Sequence, residues 1–327
     1  MTYVFRLAQR TAAVIGATGL VLTLAACGGQ SQGATGDGGT SGDGLSGEVS
    51  IDGSSTVEPL SSAAATLFRD EEPGINVTVA TSGTGGGFKR FCAGETDISD
   101  ASRPIKDEEI AACEEAGIEY TEIVIANDGL SVVVNPENDW LECITTEQLA
   151  TIWGPDSEGT VTSWNQVDPS FPDEPLALYG AGTDSGTFDY FTEAINGEEG
   201  AIRTDYTPSE DDNLTVQGVS GATGAMGFFG LSYAEENSDS VKLLAVDGGD
   251  GCVVPSKETV QDGTYSPLGR PLFIYVNNAK YAENEALRSF VDFYLANEEQ
   301  IAADALFIDL TDEQAQTAAD ELASLVG

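Results

Sequence analysis

Three strand candidates in the first half of the chain each run into a turn of small residues and then toward a helix. That repeated unit constrains the fold more than any other feature. Glu48 to Asp52 is followed by Gly53-Ser54-Ser55-Thr56 and by a helix opening at Glu58-Pro59. Proline suits a first helical turn because its missing N–H would have had no partner there. Leu60, Ala63, Ala64, Leu67 and Phe68 fall at i, i+3, i+4, i+7 and i+8, one apolar helix face. Ile75 to Ala80 leads into Thr84-Gly85-Gly86-Gly87, expected as a glycine turn, and then a helix from Phe88. Asp97 to Ala101 leads into Ser102-Arg103-Pro104, a further candidate helix start, with a helix over Asp107 to Ala116 stopped by Gly117. Ile118 to Ala126 is the next strand. Such alternation argues for an α/β fold with a parallel sheet covered by helices. In these sheets ligands bind beyond the carboxyl ends of the strands, where Ser55, Thr84 and Ser102 all fall.

The residue types at these turns suit an anion. Glycine lets backbone amides converge without Cβ interference. A helix start has N–H groups without intrahelical partners and a positive partial charge. Ser102 adds a hydroxyl and Arg103 a fixed cation. The chain reads as a receptor for a small tetrahedral oxyanion, phosphate first.

The second half repeats the theme. Leu130 to Asn135 is strongly β-like, and Thr145 to Trp153 is a capped helix. Leu176 to Tyr179 runs into Gly182-Thr183-Asp184-Ser185-Gly186-Thr187 and a helix over Phe188 to Ile195. Gly197 to Asn213 reads as irregular; Gly224 to Phe229 and Val241 to Val246 read as strands. Pro271 to Asn277 mirrors Leu130 to Asn135, and two such apolar strands flanking a middle segment suit the connections of a two-lobed receptor. Helices are expected around Leu287 to Leu295 and over Asp312 to Val326. Trp140, Trp153 and Trp164 read as packing residues.

The N-terminus reads as an export signal. Arg6 and Arg10 precede an apolar core from Ala12 to Ala26, shorter than the roughly 20 residues that span a bilayer. It ends Leu24-Ala25-Ala26-Cys27-Gly28, which looks like a bacterial lipobox with Cys27 lipidated. Residues 28–47, rich in Gly, Ser and Thr, read as a flexible tether. The expected organisation is a signal over 1–26, a tether over 27–47, one lobe from 48–127 and 276–327, and the other from 128–275. An extracytoplasmic setting permits disulfides, and Cys92, Cys113, Cys143 and Cys252 allow three pairings. Of these, Cys92–Cys113 and Cys143–Cys252 are favoured. Their spacing does not suit zinc, and no metal or cofactor is expected. The chain has no histidine, which excludes His-based triads. Its formal charge of -42 argues against nucleic acid. A locally positive cleft is still compatible with that charge, because salt screens distant surface groups.

Six motifs occur in order: GSSTVEPL at Gly53, SGTGGGFKRF at Ser82, DISDASRPI at Asp97, GTDSGTFDYF at Gly182, GAMGFFG at Gly224 and GRPLFIYVN at Gly269. Together they resemble the PstS-type phosphate-binding proteins of ABC importers, which have the two-lobed class II periplasmic-binding-protein fold. Each lobe of that fold is a sheet flanked by helices, with the ligand cleft between. The resemblance implies phosphate contacts from Ser55 and Thr56, from Thr84, Gly85 and Gly86, and from Ser185, Gly186 and Thr187. Two positions depart from the family pattern. Ser102 stands where the best-known members have an aspartate that accepts the phosphate proton, and Ala181 stands where they have an arginine. Arg103 is the expected replacement cation; Asp100 and Asp184 are candidate replacement acceptors. The resemblance implies a monomeric, lipid-anchored receptor that hands phosphate to an ABC permease outside the cell membrane. The alternatives are a receptor for sulfate or molybdate and, further off, a phosphatase-like enzyme.

Overall fold

The computed structural model describes residues 44–183 and 185–325. The signal segment, Cys27, most of the tether and Asp184 lie outside the described residues. The last tether residue, Gly47, is already paired with Ile75, and Leu45 packs on the core, so ordered chain begins before Glu48.

A single curled sheet of nine strands runs through the molecule. Strand Gly47–Gly53 lies between Ile75–Thr81 and Ile98–Ala101, parallel to both. Gly53 is level with Thr81 on one side and Asp100 on the other, so the three following turns leave the sheet at one height. Next come Gly269–Asn277, Tyr120–Val134, Ala225–Gly230, Ala177–Gly180 and Thr207–Pro208, with Lys242–Leu243 also paired to Tyr120–Val134. Two of these strands make the hinge. The sequence suggests separate strands at Ile118 to Ala126 and Leu130 to Asn135, but they are one, Tyr120–Val134. Its earlier part pairs antiparallel with Gly269–Asn277 and its end with Ala225–Gly230. Asn127-Asp128-Gly129 stays extended because its polar groups find partners without turning. Asn127 exchanges backbone bonds with Ile308 at 2.7 and 3.0 Å, and Asp128 faces Arg270.

The first-lobe helix Glu58–Glu71 buries Leu60, Ala64 and Phe68, as its spacing predicts. Helix Thr84–Cys92 begins earlier than expected. The turn is Ser82-Gly83, with Gly83 at φ +75°, and Thr84 through Gly87 form the first helical turn. Gly87 is essential to that placement, since a Cβ there would lie 2.5 Å from Gly53 Cα. Ser102-Arg103-Pro104 is a bend, and the next helix starts at Asp107. Polar segment 197–213 holds the short strand Thr207–Pro208 and the first turn of helix Asp212–Ser220.

Each lobe has its own core. Val49, Ile51, Phe68, Ile98, Ile274 and Phe290 centre the first; Val132, Leu149, Trp153, Trp164, Phe191 and Phe228 centre the second. Trp153 and Trp164 are fully buried and Trp140 packs edge-on to Trp164, so the tryptophans are packing residues. Both favoured disulfides are present. Cys92–Cys113 ties the glycine-led helix to Asp107–Ala116, and Cys143–Cys252 ties the outer strands of a small three-stranded sheet in the second lobe.

Candidate anion-binding site

Where the turns leave the sheet they face the second lobe across a cavity of about 170 Å³. First-lobe lining comes from Ser54, Ser55, Thr56, Gly83, Thr84, Gly85, Ser102, Arg103 and Lys106. The second lobe supplies Asp189, Tyr190 and Glu193 from helix Gly186–Asn196, and Glu199 beyond it. Arg270 enters from the hinge strand Gly269–Asn277.

Two of the hydroxyls bond each other and two bond across the cleft. Thr84 Oγ1 and Ser102 Oγ share a bond at 3.0 Å, and the Ser102 N–H donates to Thr84 Oγ1 at 3.3 Å. Ser55 Oγ donates across the cleft to Asp189 Oδ2 at 3.0 Å. Thr56 Oγ1 donates to the Gly186 carbonyl at 3.2 Å. Gly186 sits so close to Thr56 that a Cβ would be 2.5 Å from its Oγ1 and 2.6 Å from its Cα. The two lobes therefore meet at this glycine.

Arg270 connects the site to the hinge. It donates to Thr56 Oγ1 at 3.1 Å, to the Ser102 carbonyl at 3.0 Å and to Asp128 Oδ2 at 3.4 Å. Burial pushes the Asp128 carboxyl up in pKa and outweighs the opposing pull of Arg270. Burial likewise raises Asp189, against the hydrogen bond from Ser55 and the Arg270 charge. Arg103 also lines the cavity, with its guanidinium held bidentate by Glu109 at 2.8 and 2.9 Å. Burial alone would lift Glu109, but Arg103 and the Lys106 N–H overcome it and leave its pKa lowered.

Of the residues singled out from the sequence, Ser55, Thr56, Thr84, Gly85, Ser102 and Arg103 share the cavity. Gly86, Ser185, Gly186 and Thr187 are not among its lining residues. Gly86 packs on Ser82, and Ser185 Oγ caps its own helix by accepting from Thr187 N at 3.2 Å. Ala181 is buried in the second core. Asp100, a candidate acceptor from the sequence, faces away from the cavity: its carboxyl is buried and accepts from Ser61 at 3.0 Å. Sequence reading missed Arg270, Asp189 and Tyr190. The first lies inside GRPLFIYVN and the others inside GTDSGTFDYF, so the signal was present, but no local rule says which side chain of a motif turns into a cleft.

Comparison with known proteins agrees with this architecture. A family model described as a PBP superfamily domain matches residues 33–298. Protein SphX of Synechocystis is 51% identical over 265 residues, covering 81% of this chain and 79% of that protein. The phosphate-binding protein PstS of Staphylococcus saprophyticus is 38% identical over 312 residues, covering 95% and 93%. A solved structure of a possible phosphate-binding protein from Planctomyces limnophilus matches with a TM-score of 0.82 and 44% identity, over 86% of this chain and 100% of that one. A putative phosphate ABC transporter substrate-binding protein from Clostridium perfringens, solved with bound phosphate, matches at a TM-score of 0.56 and 27% identity, over 81% and 100%. The fold is the two-lobed class II periplasmic-binding-protein fold, and the chain belongs to the PBP superfamily, in the family of PstS-type phosphate-binding proteins.

Proposed function

We propose that the protein is a solute-binding protein for inorganic phosphate and not an enzyme. The observation that carries this reading is the convergence of three first-lobe turns, one second-lobe helix and the hinge arginine on one small polar cavity. Ser55 and the start of helix Thr84–Cys92 offer backbone N–H groups, and Thr84 and Ser102 offer hydroxyls. Arg270, Arg103 and Lys106 supply the positive field that an anion needs inside a strongly acidic protein. The names of the relatives point the same way.

Residues 1–47 extend the reading. Cys27 is lipidated, the tether holds the binding unit outside the membrane, and closure of the lobes on phosphate presents the complex to an ABC permease. Among the described residues no helix is long and apolar enough to cross a membrane. Ser185 and Thr187 contribute by fixing the start of the helix that carries Asp189.

Calorimetric titration of the folded chain with phosphate tests the ligand; heat-silent addition at millimolar phosphate would defeat it. Fatty-acid labelling that survives Cys27→Ala would defeat the anchor.

A further inference from the structure

The curled sheet runs from strand Ile75–Thr81 at one end to Thr207–Pro208 at the other, and the two ends differ. Thr207–Pro208 is two residues long and closes on a proline, which has no N–H to offer a further strand. Ile75–Thr81, INVTVAT, has seven residues, no charge, no proline and no register shift against its neighbour. Edge strands ordinarily carry such devices, because an open row of N–H and C=O groups pairs with any matching strand. In a chain of formal charge -42, a long edge free of acidic residues departs from its surroundings.

The open backbone groups can be assigned residue by residue. The Ser82 N–H donates to the Gly53 carbonyl, and the Gly74 carbonyl accepts from the Gly47 N–H. Along a strand, alternate residues turn both backbone groups toward the same neighbour. The even positions from Gly74 to Ser82 therefore face strand Gly47–Gly53, and Val77, Val79 and Thr81 present their groups outward. Among the described residues no strand pairs with that side. The side chains alternate as well. Ile75, Val77 and Val79 pack on the first-lobe core, while Asn76, Thr78 and Ala80 are exposed on the other face. On the core side a cavity of about 250 Å³ lies between this strand and helix Glu58–Glu71, lined by Val77, Val79, Ser62, Thr66 and Arg69.

We propose that this edge pairs with the same edge of a second copy of the chain, antiparallel, about a twofold axis at Thr78. In that register the N–H groups of Val77, Val79 and Thr81 meet the carbonyls of Val79, Val77 and Ile75 of the second copy. The Ile75 N–H needs no partner there, because it already donates to Glu72 at 3.0 Å. Thr78 stands opposite Thr78, a cross-strand pair that antiparallel sheets favour, and Asn76 stands opposite Ala80. Charge sets the direction. Asp70, Glu71 and Glu72 gather at the Ile75 end of the strand. A parallel pair would bring the two acidic ends together, whereas the antiparallel pair holds them roughly 20 Å apart. Helix Glu58–Glu71 joins two parallel strands and so runs back along them. The antiparallel pair therefore turns the exposed Arg69 end of one helix toward the Glu58 end of the other. The strand lies on the outside of the first lobe, so the pairing is independent of the phosphate reading. A contact of one strand and one helix from each copy is at the small end of interface sizes, and association is expected at roughly micromolar concentrations and above.

The test is made on the full folded chain carrying Cys27→Ser, in which the other cysteines are held in disulfides and an introduced one is the free thiol. Opposed residues at a non-hydrogen-bonded position have Cα atoms about 4.5 Å apart, within disulfide reach, so Thr78→Cys should cross-link to a dimer under mild oxidation. Asn76→Cys places its two thiols four residues out of register, roughly 13 Å apart, and should cross-link at least tenfold more slowly. Sedimentation equilibrium without added cysteines should show a dimer growing between about 10 and 500 µM protein. Thr78→Lys sets like charges directly opposite each other and should weaken association by about tenfold or more, with an unchanged thermal midpoint. Should that variant fold poorly, the pair of cysteine variants carries the test. A wild type monomeric throughout, as the family likeness implies, overturns the proposal. So does equal cross-linking at 76 and 78, or a folded Thr78→Lys variant that associates as the wild type does.

Discussion

The Arg270 guanidinium carbon lies 3.4 Å from the centroid of the Tyr190 ring. The arginine belongs to a hinge strand and the tyrosine to the second-lobe helix that carries Asp189, so the stack joins hinge to cleft. Its far side bonds Thr56 and Ser102 of the first lobe. Tyr190 is itself fixed by donating to the Pro267 carbonyl at 2.7 Å. One cation thus touches the first-lobe turns, the second-lobe helix and Asp128 of the strand beside its own.

Arg270→Ala should weaken phosphate binding by roughly 100-fold, the worth of one or two charge-assisted hydrogen bonds. Arg270→Lys should recover only part of this, because lysine keeps the charge and loses the planar fork that stacks and bonds at once. Calorimetry of the two variants checks it; a lysine variant with wild-type affinity would show that charge alone matters.

Gly186→Ala should impair binding while leaving both lobes folded. The added methyl meets Thr56 at 2.5 to 2.6 Å, so the lobes must stand apart by a few tenths of an ångström or more. A loss of about tenfold or more is expected, with an unchanged thermal midpoint. Small-angle scattering on phosphate addition gives the direct view, and full compaction in the variant would contradict the contact.

Arg103→Ala should cost more affinity than Lys89→Ala. Arg103 lines the cavity and is held there by Glu109, whereas Lys89 is exposed on the outer side of its helix. The expected losses are roughly tenfold against less than twofold. The reverse order in titrations would remove Arg103 from the site.

Asp100 predicts a pH dependence of stability. Burial raises its pKa from 3.8 to about 8, against a lowering hydrogen bond from Ser61. Between those values the folded chain holds a proton that the unfolded chain has released. This group's contribution is therefore full below about pH 4 and is lost as pH rises toward about 8. Asp100→Asn should flatten the fall in unfolding free energy across that range, measured by urea denaturation at several pH values. Parallel curves for variant and wild type would show that Asp100 does not titrate there.

Much of the architecture was legible in the chain because its signals are local. The stripe from Leu60 to Phe68, the stop at Gly117 and the proline at the first helical turn each depend on a few neighbours. The same holds for the turns: a residue just past a strand end lies at the sheet edge whatever the rest does, and so Ser55, Thr84 and Ser102 could be placed together. The start of the glycine-led helix was misjudged because glycine is read as a turn former. Here it is required inside a helix by Gly53 lying against Gly87. The continuity of Tyr120–Val134 through Asn127-Asp128-Gly129 was hidden for a similar reason, since partners distant in sequence, Ile308 and Arg270, satisfy those polar groups.

What the sequence determined by itself was the alternation of strand, turn and helix, and with it the sheet edge where the polar cavity lies. Only the tertiary structure decided which charges meet there. Asp189 and Arg270 reach the cavity because Gly186 packs on Thr56 and Arg270 bonds Thr56 and Ser102. Those contacts join segments far apart in the chain, and a side chain's direction across a cleft leaves no periodic trace in its own neighbours.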